Sequence, residues 1–396
     1  MKNLFQFLFF IYTIFGGIKI QAQLFSNDII VGAEKVNEYL PKLKNKKVAL
    51  LVNQTSMVGQ THLVDTLKNL NINIVKIFAP EHGFRGTASA GEKVKNGVDV
   101  KTGIPITSMY GASKKPTKES MQGIDIVIFD IQDVGVRFYT YISSLQYMME
   151  ACAAFDIPLL ILDRPNPNGF YIDGPILEPK YKSFVGMQPI PIVHGMTVAE
   201  YAQMLNGEKW LANKKNCKLE FIKCDNYDHK KYYKLPIPPS PNLKSPVAVF
   251  LYPSLCLFEG TLVSVGRGTD TPFEVWGAPI FKNNGFYFIP KTMEGANKPM
   301  YEGQKCYGAN LYMEPEEILK ILNNKLNLTF IKNAYFLTEN KPTFFNDFFE
   351  KLTGTYSLRL QIMQNKTNDE IRKTWINDLE QFKKIRKKYL LYPDFE

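Results

Sequence analysis

The chain has 396 residues, of which 45% are hydrophobic and 13% aromatic, and it carries a formal net charge of +10 at pH 7. That length exceeds what one core usually serves and the composition can fill a core, which excludes a disordered or low-complexity protein and makes two domains the expectation. The five cysteines, Cys152, Cys217, Cys224, Cys256 and Cys306, lack CxxC spacing, which excludes a cysteine-based zinc site and leaves room for at most a bridge or two.

At the start, Lys2, the apolar stretch Leu4 to Gly17 and then Gln21-Ala22-Gln23 follow the order of a secretory signal. Residues 1–23 are therefore expected to be removed, leaving a basic mature chain in the periplasm or outside the cell. Gln6, Gly16, Gly17 and Lys19 keep the apolar run short of a membrane span, and no later stretch approaches that length.

Strands over 48–53, 72–78, 124–129 and 157–162, with helices over 61–70 and 139–155, repeat the alternation of a doubly wound α/β fold with a parallel sheet. The intervening segment 80–120, rich in Gly, Thr and Lys, reads as loop. Between Pro236 and Pro246 the density of proline blocks regular structure and marks a stiff connector. The expected domains are therefore 24–242 and 243–396, the second smaller and α+β. In it, Val247 to Phe258 and Leu262 to Val265 read as strands, and Pro315 to Asn323 as a helix. Thr367 with Glu370 makes a capping box, after which Ile371, Trp375, Leu379, Phe382, Ile385 and Tyr389 follow the spacing of one amphipathic helix. Its basic end, Lys383 to Lys388, complements the helix dipole. Basic residues are not interleaved with exposed aromatics, so no nucleic-acid partner is expected, whereas modest basicity suits an anionic polymer such as cell wall.

The four apolar runs of the first half each end in chemically competent residues. Val48 to Val52 leads into Asn53-Gln54-Thr55-Ser56, Ile72 to Phe78 into Glu81-His82, Ile124 to Phe129 into Asp130-Ile131-Gln132-Asp133, and Leu159 to Leu162 into Asp163-Arg164-Pro165-Asn166. Parallel sheets bind ligands outside the carboxyl ends of their strands, so Glu81, His82, Asp130, Asp133 and Arg164 are expected to converge. A G-x-G-x-x-G fingerprint is missing after the first strand, Gly266-Arg267-Gly268 reads as a turn, and His62, His82, His194 and His229 form no H-E-x-x-H motif. Neither a cofactor nor a metal is expected.

Carboxylates remain the best candidates. Glycoside hydrolysis needs a proton donor and usually a second carboxylate as base or nucleophile. Glu81, flanked by Phe78 and Phe84, suits the acid, with His82 beside it, and Asp130 or Asp133 could supply the partner or cap the following helix. Arg85, Arg137, Arg164 and Arg267 suit a substrate bearing a carboxylate, because guanidinium grips one bidentately. Phe138, Tyr139 and Tyr141 offer a platform for a sugar ring or pack the core.

At these residues the chain resembles the exo-acting β-N-acetylmuramidases of the NamZ type. The resemblance is carried by Leu51-Val52-Asn53-Gln54-Thr55-Ser56, Ala79-Pro80-Glu81-His82-Gly83-Phe84-Arg85-Gly86, the run Asp130 to Tyr141, and Leu162-Asp163-Arg164-Pro165-Asn166-Pro167. It continues through Pro191 to Thr197, Pro239-Ser240-Pro241-Asn242, and Glu259-Gly260-Thr261 to Thr269. The resemblance implies a Rossmann-like N-terminal domain, a smaller C-terminal domain and a cleft that removes N-acetylmuramic acid from the non-reducing end of peptidoglycan fragments or muropeptides. It implies Glu81 as the acid, and adds Asn53, Gln54, Ser56, Gln132, Asn166, His194 and Glu259 to the substrate-binding candidates. It leaves open whether a carboxylate or the substrate's acetamido group is the second catalytic group. Asn168 departs from the family pattern, where a glycine pair is expected. Rival readings are a non-catalytic muropeptide-binding protein, or a serine esterase or β-lactamase-like hydrolase using Ser56 or Ser144, although no S-x-x-K or elbow surrounds either serine. Oligomeric state is not readable from the sequence.

Overall fold

The strand ends meet because one sheet gathers nearly every apolar run of the first half. In this computed structural model, which describes residues 24–84, 96–111 and 114–396, the strands are β1 (Val48–Val52), β2 (Met57–Val58), β3 (Thr61–His62), β4 (Ile74–Ala79), β5 (Gly97–Val98), β6 (Pro105–Ser108), β7 (Ile126–Asp130), β8 (Leu159–Leu162) and β9 (Leu219–Ile222). Seven of them form a sheet ordered β5-β6-β4-β1-β7-β8-β9, parallel except where β5 runs antiparallel to β6. β2 and β3 pair separately as a hairpin. The expected signal segment and Arg85 lie outside the described residues.

Successive strand residues point to opposite faces, and here both faces are covered. Ala49, Leu51, Val127, Phe129 and Ile161 join one apolar cluster, while Val48, Leu50, Val52, Ile126, Ile128 and Leu160 join the other. Double burial explains why these strands read as continuous apolar runs rather than alternating ones. The helices of this half are α1 (Val36–Leu43), α2 (Leu63–Asn69), α3 (Lys118–Met121), α4 (Tyr141–Phe155) and α5 (Val198–Gly207).

The segment read as loop contributes β5 and β6 to the sheet edge and ends in α3. Its strands escaped sequence reading because both are short and only partly covered by the rest of the protein, so Pro105-Ile106-Thr107-Ser108 needs no apolar run. β9 was missed for the same reason, with Glu220 exposed in its centre.

Beyond the connector come α6 (Pro246–Leu255), β10 (Val275–Ala278), β11 (Tyr287–Phe288), β12 (Cys306–Asn310), α7 (Pro315–Leu322), α8 (Thr329–Leu337), α9 (Phe349–Thr353), α10 (Ser357–Met363), α11 (Asn368–Lys373) and α12 (Ile376–Arg386). Val247 to Phe258 is helical where a strand was expected. The Ser245 hydroxyl accepts from Ala248 N, Pro246 opens the first turn, and the helix is buried all round, so its pattern carries no periodicity. Leu262 to Val265 forms no strand, although Ser264 makes one bridge to Gly277. The expected terminal helix is two helices. The capping box at Thr367 and Glu370 opens α11, and the chain breaks at Trp375, whose indole N–H donates to Asp173 Oδ1 at 3.1 Å.

One apolar cluster runs from Leu51 and Phe129 through Phe250 and Phe258 to Phe382. The chain's end returns to the sheet: the Tyr392 hydroxyl donates to Asp163 Oδ2 at 2.7 Å, and the Arg386 guanidinium donates to Gly195 O at 2.6 and 2.9 Å.

Candidate active site

Strand β4 ends in the turn Pro80–Gly83, closed by Gly83 N donating to Pro80 O at 3.0 Å. His82 adopts φ +67° there, a left-handed conformation uncommon outside glycine. This turn presents Glu81 and His82 to a cavity of about 630 Å³. Tyr110, just beyond β6, and Phe138 to Tyr141, between β7 and α4, form the adjoining wall. The C-terminal half closes the opposite side with Tyr252, Glu259, Arg267, Phe273 and the 295–300 loop.

Glu81 is held from two elements. Thr140 Oγ1 donates to Oε2 at 2.7 Å, and the Tyr110 hydroxyl interacts with the same carboxyl group. Burial and the charge of Glu81 push the Tyr110 hydroxyl's pKa up, so Tyr110 stays a donor. Tyr139 meets Tyr141 edge-on, ring centroids 4.9 Å apart, and Tyr252 at 5.6 Å, giving the cavity an aromatic flank. The proline-rich connector is strapped to this flank. Tyr141 Oη donates to Pro239 O at 3.1 Å, and Gln54 Nε2 donates to Pro238 O and Pro239 O, each at 3.1 Å. Ser240 thereby enters the cavity wall.

Arg267 faces the cavity with its charge partly committed. Its Nε and Nη2 lie 2.8 and 2.7 Å from Glu259 Oε1, and its guanidinium lies 5.0 Å from the Phe273 ring centre. Both members of the pair remain about one-quarter exposed, so water or an anion can reach them. Lys114, Lys298 and Lys351 also line the cavity.

Other expected site residues do other work. Asp130 is fully buried, and Arg164 grips it bidentately, Nε to Oδ1 at 2.6 Å and Nη2 to Oδ2 at 3.0 Å. Neither lines the cavity, which corrects the expectation that both converge with Glu81. Arg137 is corrected likewise: its guanidinium donates to Pro175 O, Ile190 O and Leu352 O at 2.7 to 2.8 Å, and burial lowers its pKa to about 9. Asn53 accepts from Thr55 N and Oγ1, Thr55 Oγ1 accepts from Gln132 N, and Ser56 donates to Asp130 O, so these loops lock each other. Gln132 Nε2 donates to Asp133 O and Pro165 O, and Asn166 Nδ2 to Met196 O, each at 2.8 Å. His194 is buried and neutral, its pKa lowered to about 3 by desolvation and by the charges of Arg386 and Arg137. Asn168 sits at negative φ and donates to Val134 O and Val249 O, joining the loop after β8 to α6 without a glycine. Ser56 and Ser144 are both buried away from the cavity, which removes the basis for a serine nucleophile.

Asp133 lies behind the aromatic flank rather than in the cavity lining. Its Oδ1 accepts from Gly135 N at 2.7 Å, Oδ2 is buried and has no hydrogen-bond partner among the described residues, and desolvation raises its pKa to about 7.

Sequence reasoning missed Tyr110, Thr140 and the lysines. Extending the strand-end argument to β6 would have found Tyr110, and Thr140 stood inside the Asp130 to Tyr141 run without being singled out.

Residues 48–247 match the family described as exo-β-N-acetylmuramidase NamZ, N-terminal, and residues 250–392 its C-terminal counterpart. The peptidoglycan β-N-acetylmuramidase NamZ of Bacillus subtilis (strain 168) is 39% identical over 374 residues, covering 90% of this chain and 89% of that protein. A crystal structure of a DUF1343 family protein from Bacteroides fragilis NCTC 9343 is similar with a TM-score of 0.86 at 50% identity, covering 93% of this chain and 99% of that one. A second DUF1343 family protein of that organism gives a TM-score of 0.72 at 29% identity, covering 92% and 99%.

Proposed function

The chain belongs to the NamZ family of exo-β-N-acetylmuramidases, and from that premise we propose that it is an exported glycoside hydrolase that releases N-acetylmuramic acid from the non-reducing ends of peptidoglycan fragments. The observation that carries the reading is Glu81, held by Thr140 on the wall of a cavity large enough for a sugar.

In this reading Glu81 protonates the glycosidic oxygen as the C1–O bond breaks. Among the described residues, the cavity wall offers one other carboxylate, Glu259, and Arg267 holds it. The acetamido oxygen of the substrate is therefore assigned as nucleophile, one of the recognised exceptions to the two-carboxylate scheme. It bonds to C1, and Glu81 then takes a proton from the water that opens the resulting ring. Two displacements at C1 retain the anomeric configuration.

The lactyl carboxylate of the muramic sugar is assigned to Arg267, where it competes with Glu259 for the guanidinium. Tyr139 and Tyr252 offer ring edges to the sugar, and the buried Phe273 backs the Arg267 guanidinium. The test is turnover of a chromogenic β-N-acetylmuramide beside the matching N-acetylglucosaminide. Turnover of the muramide alone supports the reading; binding without turnover of either supports a muropeptide-binding protein instead.

A further inference from the structure

We propose that the active-site cavity continues into a second subsite that binds a carboxylate-bearing extension of the glycan substrate. The inference rests on the glycosidase reading above and names what that substrate carries beyond its terminal sugar.

An open pocket of about 390 Å³ adjoins the cavity, and Lys351 lines both. Its other walls include Lys180, Tyr181, Lys182, Tyr356 and Arg359. Two of these cations are committed: Arg359 lies 2.6 Å from Glu350, and Lys180 lies 3.1 Å from Glu178. Among the described residues, no ion pair or side-chain hydrogen bond engages Lys182 or Lys351. Against the one carboxylate left on the wall, Asp347, the uncommitted charge is positive. Tyr356, 42% exposed, adds a ring face beside the Arg359 guanidinium, which lies 5.6 Å from its centre.

The groove is built before any ligand arrives. Glu178 N donates to Gly354 O at 2.8 Å, and Thr355 Oγ1 bonds the Glu178 carboxylate. Arg137 spans the same seam, donating to Pro175 O on one side and Leu352 O on the other, both at 2.8 Å. At Gly354, φ is +77° and a Cβ would lie 2.7 Å from the Arg137 guanidinium, so the two walls meet without room for a side chain. Walls fixed in this way spare an incoming chain the entropy of ordering them.

A carboxylate in this groove has two chemical sources. An alternating glycan carries a second lactyl group two sugars beyond the terminal one, and a stem peptide carries carboxylates of its own. Both present an anion and a planar or apolar body to lysines and tyrosines.

The test uses Lys182→Glu, which lies outside the active-site cavity, and the full-length protein. Three substrates are compared: the chromogenic muramide, a peptide-free tetrasaccharide with a muramic residue at its non-reducing end, and the same tetrasaccharide with a stem peptide on its inner muramic residue. KM for the extended substrates should rise roughly fivefold, while kcat and KM for the muramide stay within twofold. A penalty on the peptide-free tetrasaccharide alone assigns the groove to the inner lactyl carboxylate, which the amide bond of a stem peptide consumes; a penalty on the peptide-bearing one alone assigns it to the peptide, and a penalty on both shows that it takes either anion. Equal kinetics on all three overturns the subsite. If the wild type turns over no muramide, the glycosidase reading fails separately, and equilibrium binding of the two tetrasaccharides to wild type and Lys182→Glu then decides the groove, unchanged affinity overturning it.

Discussion

Thr140 Oγ1 donates a 2.7 Å hydrogen bond to Oε2 of Glu81, tying the residue just before α4 to the turn that follows β4. The turn after β4 is thereby joined to the segment that leads into α4 along the cavity wall. Glu81→Gln keeps the side chain's shape but removes its titrating proton, so turnover should fall at least ~100-fold, with substrate affinity little changed. Thr140→Val should lower kcat by up to roughly tenfold, since a hydrogen bond that positions the carboxyl contributes about 0.5–1.5 kcal/mol. Steady-state kinetics on the chromogenic muramide measures both. Near-normal turnover in Glu81→Gln would sink the assignment of the acid.

In the proposed reading Arg267 is the arginine assigned to the lactyl carboxylate. Arg267→Met should raise KM for the muramide and leave the glucosaminide nearly unaffected, shrinking the ratio of their kcat/KM values by roughly tenfold to a hundredfold. An unchanged ratio in that variant transfers the recognition to the lysines of the cavity wall.

Asp133 should make stability depend on pH in a defined direction. Its folded pKa is raised to about 7 by burial, whereas in the unfolded chain the carboxyl titrates near its ordinary value of about 4. Between those values the folded state keeps a proton that the unfolded state has released, so the Asp133 contribution declines as pH rises through the window and is flat above it. The full span is on the order of 4 kcal/mol as an upper bound. Asn keeps the acceptor used by Gly135 and removes the titration. Chemical denaturation at pH 5 and pH 8 should therefore show Asp133→Asn gaining on the wild type as pH rises, and parallel pH profiles would refute the assignment.

Asp130 and Arg164 should behave as a structural pair. Removing one partner leaves a buried charge without compensation, a loss of about 3–5 kcal/mol. Asp130→Asn should lower the unfolding midpoint accordingly. A direct nucleophile would instead lose turnover with its stability intact, and the residual activity of folded Asp130→Asn protein separates the two.

What the sequence determined by itself is the four central strands of the sheet and their polar ends. Runs such as Val48 to Val52 and Ile126 to Phe129 are apolar throughout because both faces are buried, and burial on two faces leaves a mark in composition that needs no partner to be read. Glu81 was legible for the same reason, since it follows such a run within a distinctive turn. Tertiary structure alone decided which polar end residues reach the cavity. Asp130 and Arg164 stand 34 positions apart and cancel each other only once β7 and β8 lie side by side. Arg137 reads like a ligand contact until its guanidinium is seen to reach three backbone carbonyls, the farthest 215 positions away. α6 has apolar residues on every side, so no periodicity distinguishes it from a strand, and the packing around it settles its form. Local patterns record how much of a residue is buried, whereas a side chain's partner depends on what the fold brings within about 3 Å, and that distance has no counterpart in the order of residues.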